Sequence, residues 1–248
     1  MAQGNTGEGF AYSMVDLMTS LVVIFILLLV YFLDLAHQRA EAEQRRIAEE
    51  KRRTEIAKQQ TESNRELVIR RLQKEFVTVN PSIQVKPDER DPLTLLIIVP
   101  EELLRFEENK AKLREIGREF LNGFTPTLTG VLCAPDLQDK VDSLIIEGHT
   151  NSRGEEWRNI PLSTERATAV TLYSLELLRD KISPDLECFL NLASANGRGP
   201  REPIRDHEGK EDLEKSKRVE FKVRVRSLEQ RQLQELQDQL HAERPANP

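Results

Sequence analysis

From Phe10 to Leu33 the chain reads FAYSMVDLMTSLVVIFILLLVYFL, and Asp16 is the only charged residue in the run. About 20 apolar residues cross a bilayer core of about 30 Å, so this segment is long enough to span. A carboxylate at that depth costs roughly 2.5–3.5 kcal/mol even on the lenient insertion scale. Asp16 is therefore expected to face a partner, a cavity or an ion path; the bland alternative is that it marks the interfacial end of the span. A cleaved signal peptide would want a basic n-region and a small-residue cleavage site. No Lys or Arg precedes Arg39. Leu21–Leu33 also lacks the polar face of an interfacial helix. The expectation is a retained single-pass anchor over residues 10–35, preceded by a short terminus over 1–9.

Beyond residue 35 the character changes. The net charge is -6, and basic and acidic residues are interleaved rather than clustered, which gives no sign of nucleic-acid binding. Residues 36–79 contain no Gly or Pro and are dominated by Ala, Glu, Gln, Arg and Lys, all strong helix formers. A helix of about 44 residues would reach about 65 Å. Its apolar positions (Ile47, Ile56, Leu67, Val68, Ile69, Leu72, Phe76) do not sustain a heptad, so a solvated spacer or loose dimer stalk is expected over 36–80. Pro81, Pro87 and Pro92 break it.

A compact α/β domain is predicted over 90–226. Leu93–Val99 reads as a buried strand, Asn109–Leu121 as a helix and Asp142–His149 as a second strand. Ser163–Arg179 reads as a helix capped by Ser163. Leu186–Ala193 reads as a third strand, and Arg218–Val225, which alternates cleanly, as a fourth. About four strands with two helices on one face make an α/β sandwich. The polar loop Asn196–Ser216 is long for a domain interior, which hints at function. Residues 227–248 read as a helical tail. Cys133 and Cys188 are either a disulfide, which an oxidising compartment would allow, or two unrelated buried thiols. His149 has no His, Cys or carboxylate partner at zinc-like spacing, so a structural role and no metal are expected. Gly197-Arg198-Gly199 lacks the strand–turn–helix context of a phosphate loop. No Ser/His/Asp constellation has local support, so enzymatic activity is not expected.

Glu147–Ala167 reads EGHTNSRGEEWRNIPLSTERA. This resembles the OmpA-like peptidoglycan-binding domain, whose pattern is G-H-T-D, a short Gly-containing loop, then N-x-x-L-S-x-x-R-A. Gly148, His149 and Thr150 match its start; Asn159, Leu162, Ser163, Arg166 and Ala167 match its end. Residues 99–113 (VPEELLRFEENKAKL) look like that family's first strand and following turn. Ser216-Lys217-Arg218-Val219-Glu220 looks like its final N-R-R-V-E strand. The resemblance implies that position 151 and Arg166 grip the diaminopimelate of the wall peptide, with Asn159, Leu162, Ser163 and Arg218 as further peptidoglycan-binding positions. A carboxylate would pair with the ammonium of that zwitterion, and a guanidinium would fork onto its carboxylate. Here the first position is Asn151, an amide without charge; Glu147 and Glu155 are candidate substitutes. The competing expectation is a domain that keeps the fold and serves only dimerisation.

Ala11–Ser20 (AYSMVDLMTS) looks like the signature of the stator B subunits of the MotB type, roughly Y-A-D-F/L-M-T followed by an apolar helix. Asp16, Met18 and Thr19 match at the family's spacing; the Tyr lies one position farther away. Membrane Asp, charged linker and OmpA-like domain, in that order, are the plan of ion-driven stators. Two systems share it: flagellar stators and the B subunits of the Zorya anti-phage defence system. The short terminus, the charged stalk and Asn151 favour Zorya.

The resemblance implies a dimer of this chain inside a ring of five MotA/ZorA-like subunits, rotated by ion flow through Asp16. The ion is expected to be a proton, with sodium as the alternative, and no cofactor is expected. Thr19 and Ser20 would hydrogen-bond the ion or its water, or else pack ordinarily. The implied location is the bacterial inner membrane, with the N-terminus cytoplasmic and the domain periplasmic. Arg39, Arg45, Arg46, Lys51, Arg52 and Arg53 argue the other way by the positive-inside rule, although large domains translocate regardless of flanking charge. A passive membrane-to-wall tether is the alternative function.

Overall fold

The computed structural model describes residues 6–76, 80–107 and 109–229, with side chains from Met18 onward. It divides into two units, Met1–Ile56 and Ala57–Pro248.

In the first unit the chain is helical from Thr6, the start of α1 (Thr6–Phe76). From Met18 to Leu33 its large apolar side chains are exposed, and the helix is long and apolar enough to cross a membrane. Beyond them the surface carries i,i+4 ion pairs such as Arg53–Glu49 at 2.7 Å and Arg45–Glu41 at 3.5 Å. Exposed pairs of this kind support a helix by a few tenths of a kcal/mol each.

The second unit is built on a five-stranded sheet of order β1-β2-β5-β3-β4. Its strands are β1 (Gln84–Pro87), β2 (Thr94–Pro100), β3 (Val141–His149), β4 (Ala193–Gly199) and β5 (Arg218–Val225). All neighbours are antiparallel except β3 and β4. Its helices are α2 (Glu101–Leu104), α3 (Glu115–Leu132), α4 (Glu156–Asp180), α5 (Leu186–Leu192) and α6 (Leu213–Ser216). Alternation along the strands sends Leu95, Ile97, Val99, Leu144, Ile146, Val219, Phe221 and Val223 to one face, where they join Leu121, Phe124, Leu128, Val170 and Leu178 of α3 and α4 in the core. Thr125 Oγ1 and Ser174 Oγ, 3.0 Å apart, link α3 to α4.

Several expectations are corrected. The end of α1 is not a solvated spacer: Ala57, Thr61, Val68, Leu72 and Phe76 are buried, a stripe at spacings of four and seven. Phe76 meets Phe124 of α3 at 4.8 Å, and Phe124 meets Phe221 of β5 at 4.8 Å. The compact unit thus opens at Ala57, and β1 adds a fifth strand ahead of residue 90. Leu186–Leu192 is helix rather than strand; the strand is the next segment, β4. A short apolar run does not distinguish the two by periodicity. α3 begins at Glu115, six residues later than expected, because Phe106 and Leu113 pair in a β-bridge. α4 begins at Glu156, so Ser163 lies inside the helix and caps nothing there. The loop expected from Asn196 starts after Gly199. Of the tail, only Ser227–Glu229 lies within the described residues; Leu228 N–H donates to Thr61 Oγ1 at 3.1 Å.

Cys133, at the end of α3, and Cys188, in α5, form a disulfide with Cα atoms 6.0 Å apart. It ties together segments 55 residues apart in sequence.

Candidate functional site

The end of β3 lies against the first turns of α4. A Cβ on Gly148 would stand 2.1 Å from the Ser163 carbonyl oxygen, so only glycine permits this approach. Ser163 Oγ donates to Ile160 O at 2.7 Å and accepts from Gly199 N–H at 2.9 Å, which pins the end of β4 to the same helix. Asn159 Nδ2 donates to Arg153 O at 3.0 Å and to Asn151 O at 3.4 Å, holding the turn between β3 and α4. Leu162 is half-buried. Asn159 and Ser163 are therefore positioning residues whose polar groups are taken up by the fold.

Asn151 is also engaged. Its Nδ2 donates to Leu213 O at 3.1 Å and its Oδ1 accepts from Arg153 N–H at 3.2 Å. It fastens the turn to α6. Of its proposed substitutes, Glu147 lies buried on the other sheet face, and Glu155 is the residue before α4.

Arg166 is 7% exposed and sits under the 105–114 hairpin. Its guanidinium lies over the Phe106 ring at 4.9 Å, and its Nε donates to Lys110 O at 3.2 Å. Its Nη2 is 3.5 Å from Glu101 Oε1. Burial pushes the guanidinium below its ordinary pKa, and the Glu101 carboxylate opposes that shift. Glu101 Oε2 is buried without a hydrogen bond among the described residues; Lys217 Nζ stands 3.8 Å from it. Glu101, Phe106 and Lys217 were missed by sequence reasoning. They come from α2, the hairpin and the residue between α6 and β5, and no spacing links them to Arg166.

Arg218 is elsewhere. Strand alternation turns it to the sheet face away from α3 and α4, into a buried charge network. Its Nε donates to Glu220 Oε1 at 2.6 Å and its Nη1 to Glu202 O and Ser216 O, each at 3.1 Å. His149 Nε2 lies 3.3 Å from Glu147 and 3.5 Å from Glu220. Lys222 Nζ contacts Glu147 Oε1 and stands 3.7 Å from Glu220. Burial pushes the Glu147 carboxyl up, but hydrogen bonds and charge from His149 and Lys222 outweigh it and hold the group down at about 2. Burial also opposes ionisation of Glu220, while His149 and Arg218 hold it well below the usual carboxylate range.

His149 has no partner at zinc-like spacing in the sequence, yet the fold gathers carboxylates round it: ligand atoms of Glu147, His149, Glu202 and Glu220 lie within 4.8 Å of one another, brought from three segments. By separation they could hold a small cation. Lys222, Arg218, Arg198 and Arg90 already pair with these carboxylates, so charge balance does not call for one.

Asp16 falls within α1, and its side chain lies outside the described residues. By spacing, positions 16, 19 and 20 share one helical face. Thr19 and Ser20 are exposed in the chain by itself.

No protein-family model matches the chain, and no curated protein matches it. Among solved structures, a putative MotB-like protein from Desulfovibrio vulgaris is 20% identical over 69% of this chain and 96% of its own, with a TM-score of 0.48. The periplasmic domain of Helicobacter pylori MotB is 15% identical over 68% of this chain and 96% of its own, with a TM-score of 0.46. The cell wall anchor of the type VI secretion system from Pseudomonas aeruginosa is 18% identical over 64% of this chain and 97% of its own, with a TM-score of 0.41.

Proposed function

We propose that this chain is the membrane-spanning, wall-gripping B subunit of an ion-driven stator, of the kind used in Zorya anti-phage defence. What supports it best is the union, in one chain, of an apolar helix carrying Asp16 with a domain in which the motif residue Arg166 is held rigidly beneath a hairpin. The Cys133–Cys188 disulfide suits an oxidising compartment, which favours a periplasmic domain and a cytoplasmic N-terminus.

In this reading two copies stand inside a ring of multi-helix A subunits and are fixed to peptidoglycan by the domain. Asp16 takes up a proton from one side and releases it to the other. A desolvated carboxylate favours its neutral form, so each protonation changes its contacts with the surrounding helices and steps the ring. One charge moved through 100 mV is worth about 2.3 kcal/mol, enough to bias a step.

Ion flux and phage protection, measured in cells with the partner subunit, test the motor. Asp16→Asn should abolish both while leaving membrane insertion and wall binding intact. Full protection by that variant would falsify the ion-path role. Wall binding without flux in the wild type would leave a passive tether, and rescue of swimming in a stator-deficient strain would place the chain with flagellar motors.

A further inference from the structure

The wall-binding reading has an electrostatic gap. A zwitterionic amino-acid group presents an ammonium and a carboxylate on one carbon, so its receptor needs an anion and a cation as close neighbours. Arg166 supplies the cation. Asn151 cannot supply the anion: it carries no charge, and its amide is already spent on Leu213 O and Arg153 N–H.

We infer that Glu101 supplies that anion, so that the wall peptide's ammonium is received by Glu101 and its carboxylate by Arg166; this rests on the wall-binding reading above. Three observations carry it. Glu101 Oε1 and Arg166 Nη2 are 3.5 Å apart, the neighbour relation a zwitterion requires. Glu101 Oε2 is a buried acceptor with no hydrogen bond among the described residues, a vacancy that an ammonium donor fills. The Glu101 side chain as a whole is 22% exposed, more than the 9% of Arg166, so of the pair it lies nearer the surface.

The surroundings fit the same role. Glu101 N–H donates to Lys217 O at 3.3 Å, which fastens the start of α2 to the strand beside it. Lys217 Nζ is the other cation facing the carboxylate, at 3.8 Å, but it sits closer to Glu214, at 2.7 Å. It therefore contributes charge without closing the acceptor. On the cation side, the Phe106 ring and the Lys110 carbonyl fix the plane of the guanidinium. Of its five N–H donors the Nε–H goes to Lys110 O, while Nη2 stands 3.5 Å from Glu101, and a ligand carboxylate can take others. The charge that the motif's first position lacks has moved, in this chain, from the β3–α4 turn to the first residue of α2.

Binding to the purified full-length protein in detergent tests this, with a disaccharide tetrapeptide bearing diaminopimelate as probe. The same muropeptide with its diaminopimelate amine acetylated is the second probe. Glu101→Gln, which keeps shape and removes charge, should weaken the first probe at least about tenfold, the size of one lost charge-assisted hydrogen bond. It should leave the already weak binding of the acetylated probe unchanged. Glu101→Asp should retain part of the affinity, and Asn151→Asp should gain none. Equal or tighter binding of the free-amine probe by Glu101→Gln, or a tenfold gain from Asn151→Asp, overturns the assignment. If Arg166→Ala loses binding while Glu101→Gln does not, the assignment falls and the wall reading stands. If the wild type binds neither probe, both fall. Melting curves of each variant confirm that the domain is folded.

Discussion

The two faces of the sheet are built from the same strands and obey different rules. Toward α3 and α4, β2, β3 and β5 present Ile97, Ile146 and Phe221, an apolar layer continuous with the helices. Away from them the same strands present Ile98, Glu147, His149, Glu220 and Lys222, buried too but mostly ionic. On the first face removal of water stabilises directly, by roughly 25 cal/mol per Å² of apolar surface. On the second, every buried charge has to be offset by a partner, and the net gain is small even where the gross interactions are large. The first face therefore tolerates loss in proportion to volume. The second tolerates replacement of a whole ion pair but not of half of one.

That contrast yields measurable outcomes, beginning with the most severe. Phe221→Ala removes the ring that joins β5 to Phe124, and chemical denaturation should show a loss of about 3–5 kcal/mol. On the same side, reducing Cys133–Cys188 or replacing both by Ala frees a long loop in the unfolded chain. A loss of about 4 kcal/mol is expected, and a melting temperature indifferent to reductant would show that α3 and α5 stay docked without it.

Lys222→Met leaves Glu147 buried without its closest cation and should cost about 3 kcal/mol. Adding Glu147→Met to it should recover most of that loss. If the double variant is no better than the single one, the ionic face is not the self-compensating layer described.

Acid is a milder probe. Glu147 and Glu220 have native pKa values depressed below those of the unfolded chain. Between the two values the unfolded state binds more protons, so their contribution is full above about pH 5 and drains away as pH falls toward 2. Stability should drop by on the order of 1–3 kcal/mol across that window. A variant with both Glu147 and Lys222 as Met should show a shallower slope. Smallest is Asn151→Asp, which sets a carboxylate against Leu213 O and should cost about 1 kcal/mol.

The apolar face is the one that can be read from sequence. Arg218–Val225 alternates without interruption, and β5 has those bounds. Leu93–Val99 and Asp142–His149 fall within a residue of β2 and β3 because they are apolar runs of strand length between turn residues. What failed had a local signal that tertiary structure overrode. Leu162-Ser163-Thr164 looks like a helix start, but Ser163 is needed beside Gly148 and Gly199, about two turns into α4. The Ala57–Phe76 stripe is visible at four- and seven-residue intervals, yet charged neighbours outnumber it, and only the packed sheet shows what it covers.

The candidate site divides in the same way. Arg166 was legible through its motif because the motif is local. Glu101 and Lys217 lie 65 and 51 positions from it in the chain; their segments could be assigned to the same domain, but nothing in a single sequence announces that these two side chains meet Arg166. The same holds for Glu147, Glu202 and Glu220 around His149.

The burial of Val68, Leu72 and Phe76 along the last turns of α1 has a mechanical side. The Phe76–Phe124–Phe221 stack couples these turns to β5, a strand paired on both sides, so drawing them off the domain means parting that stack.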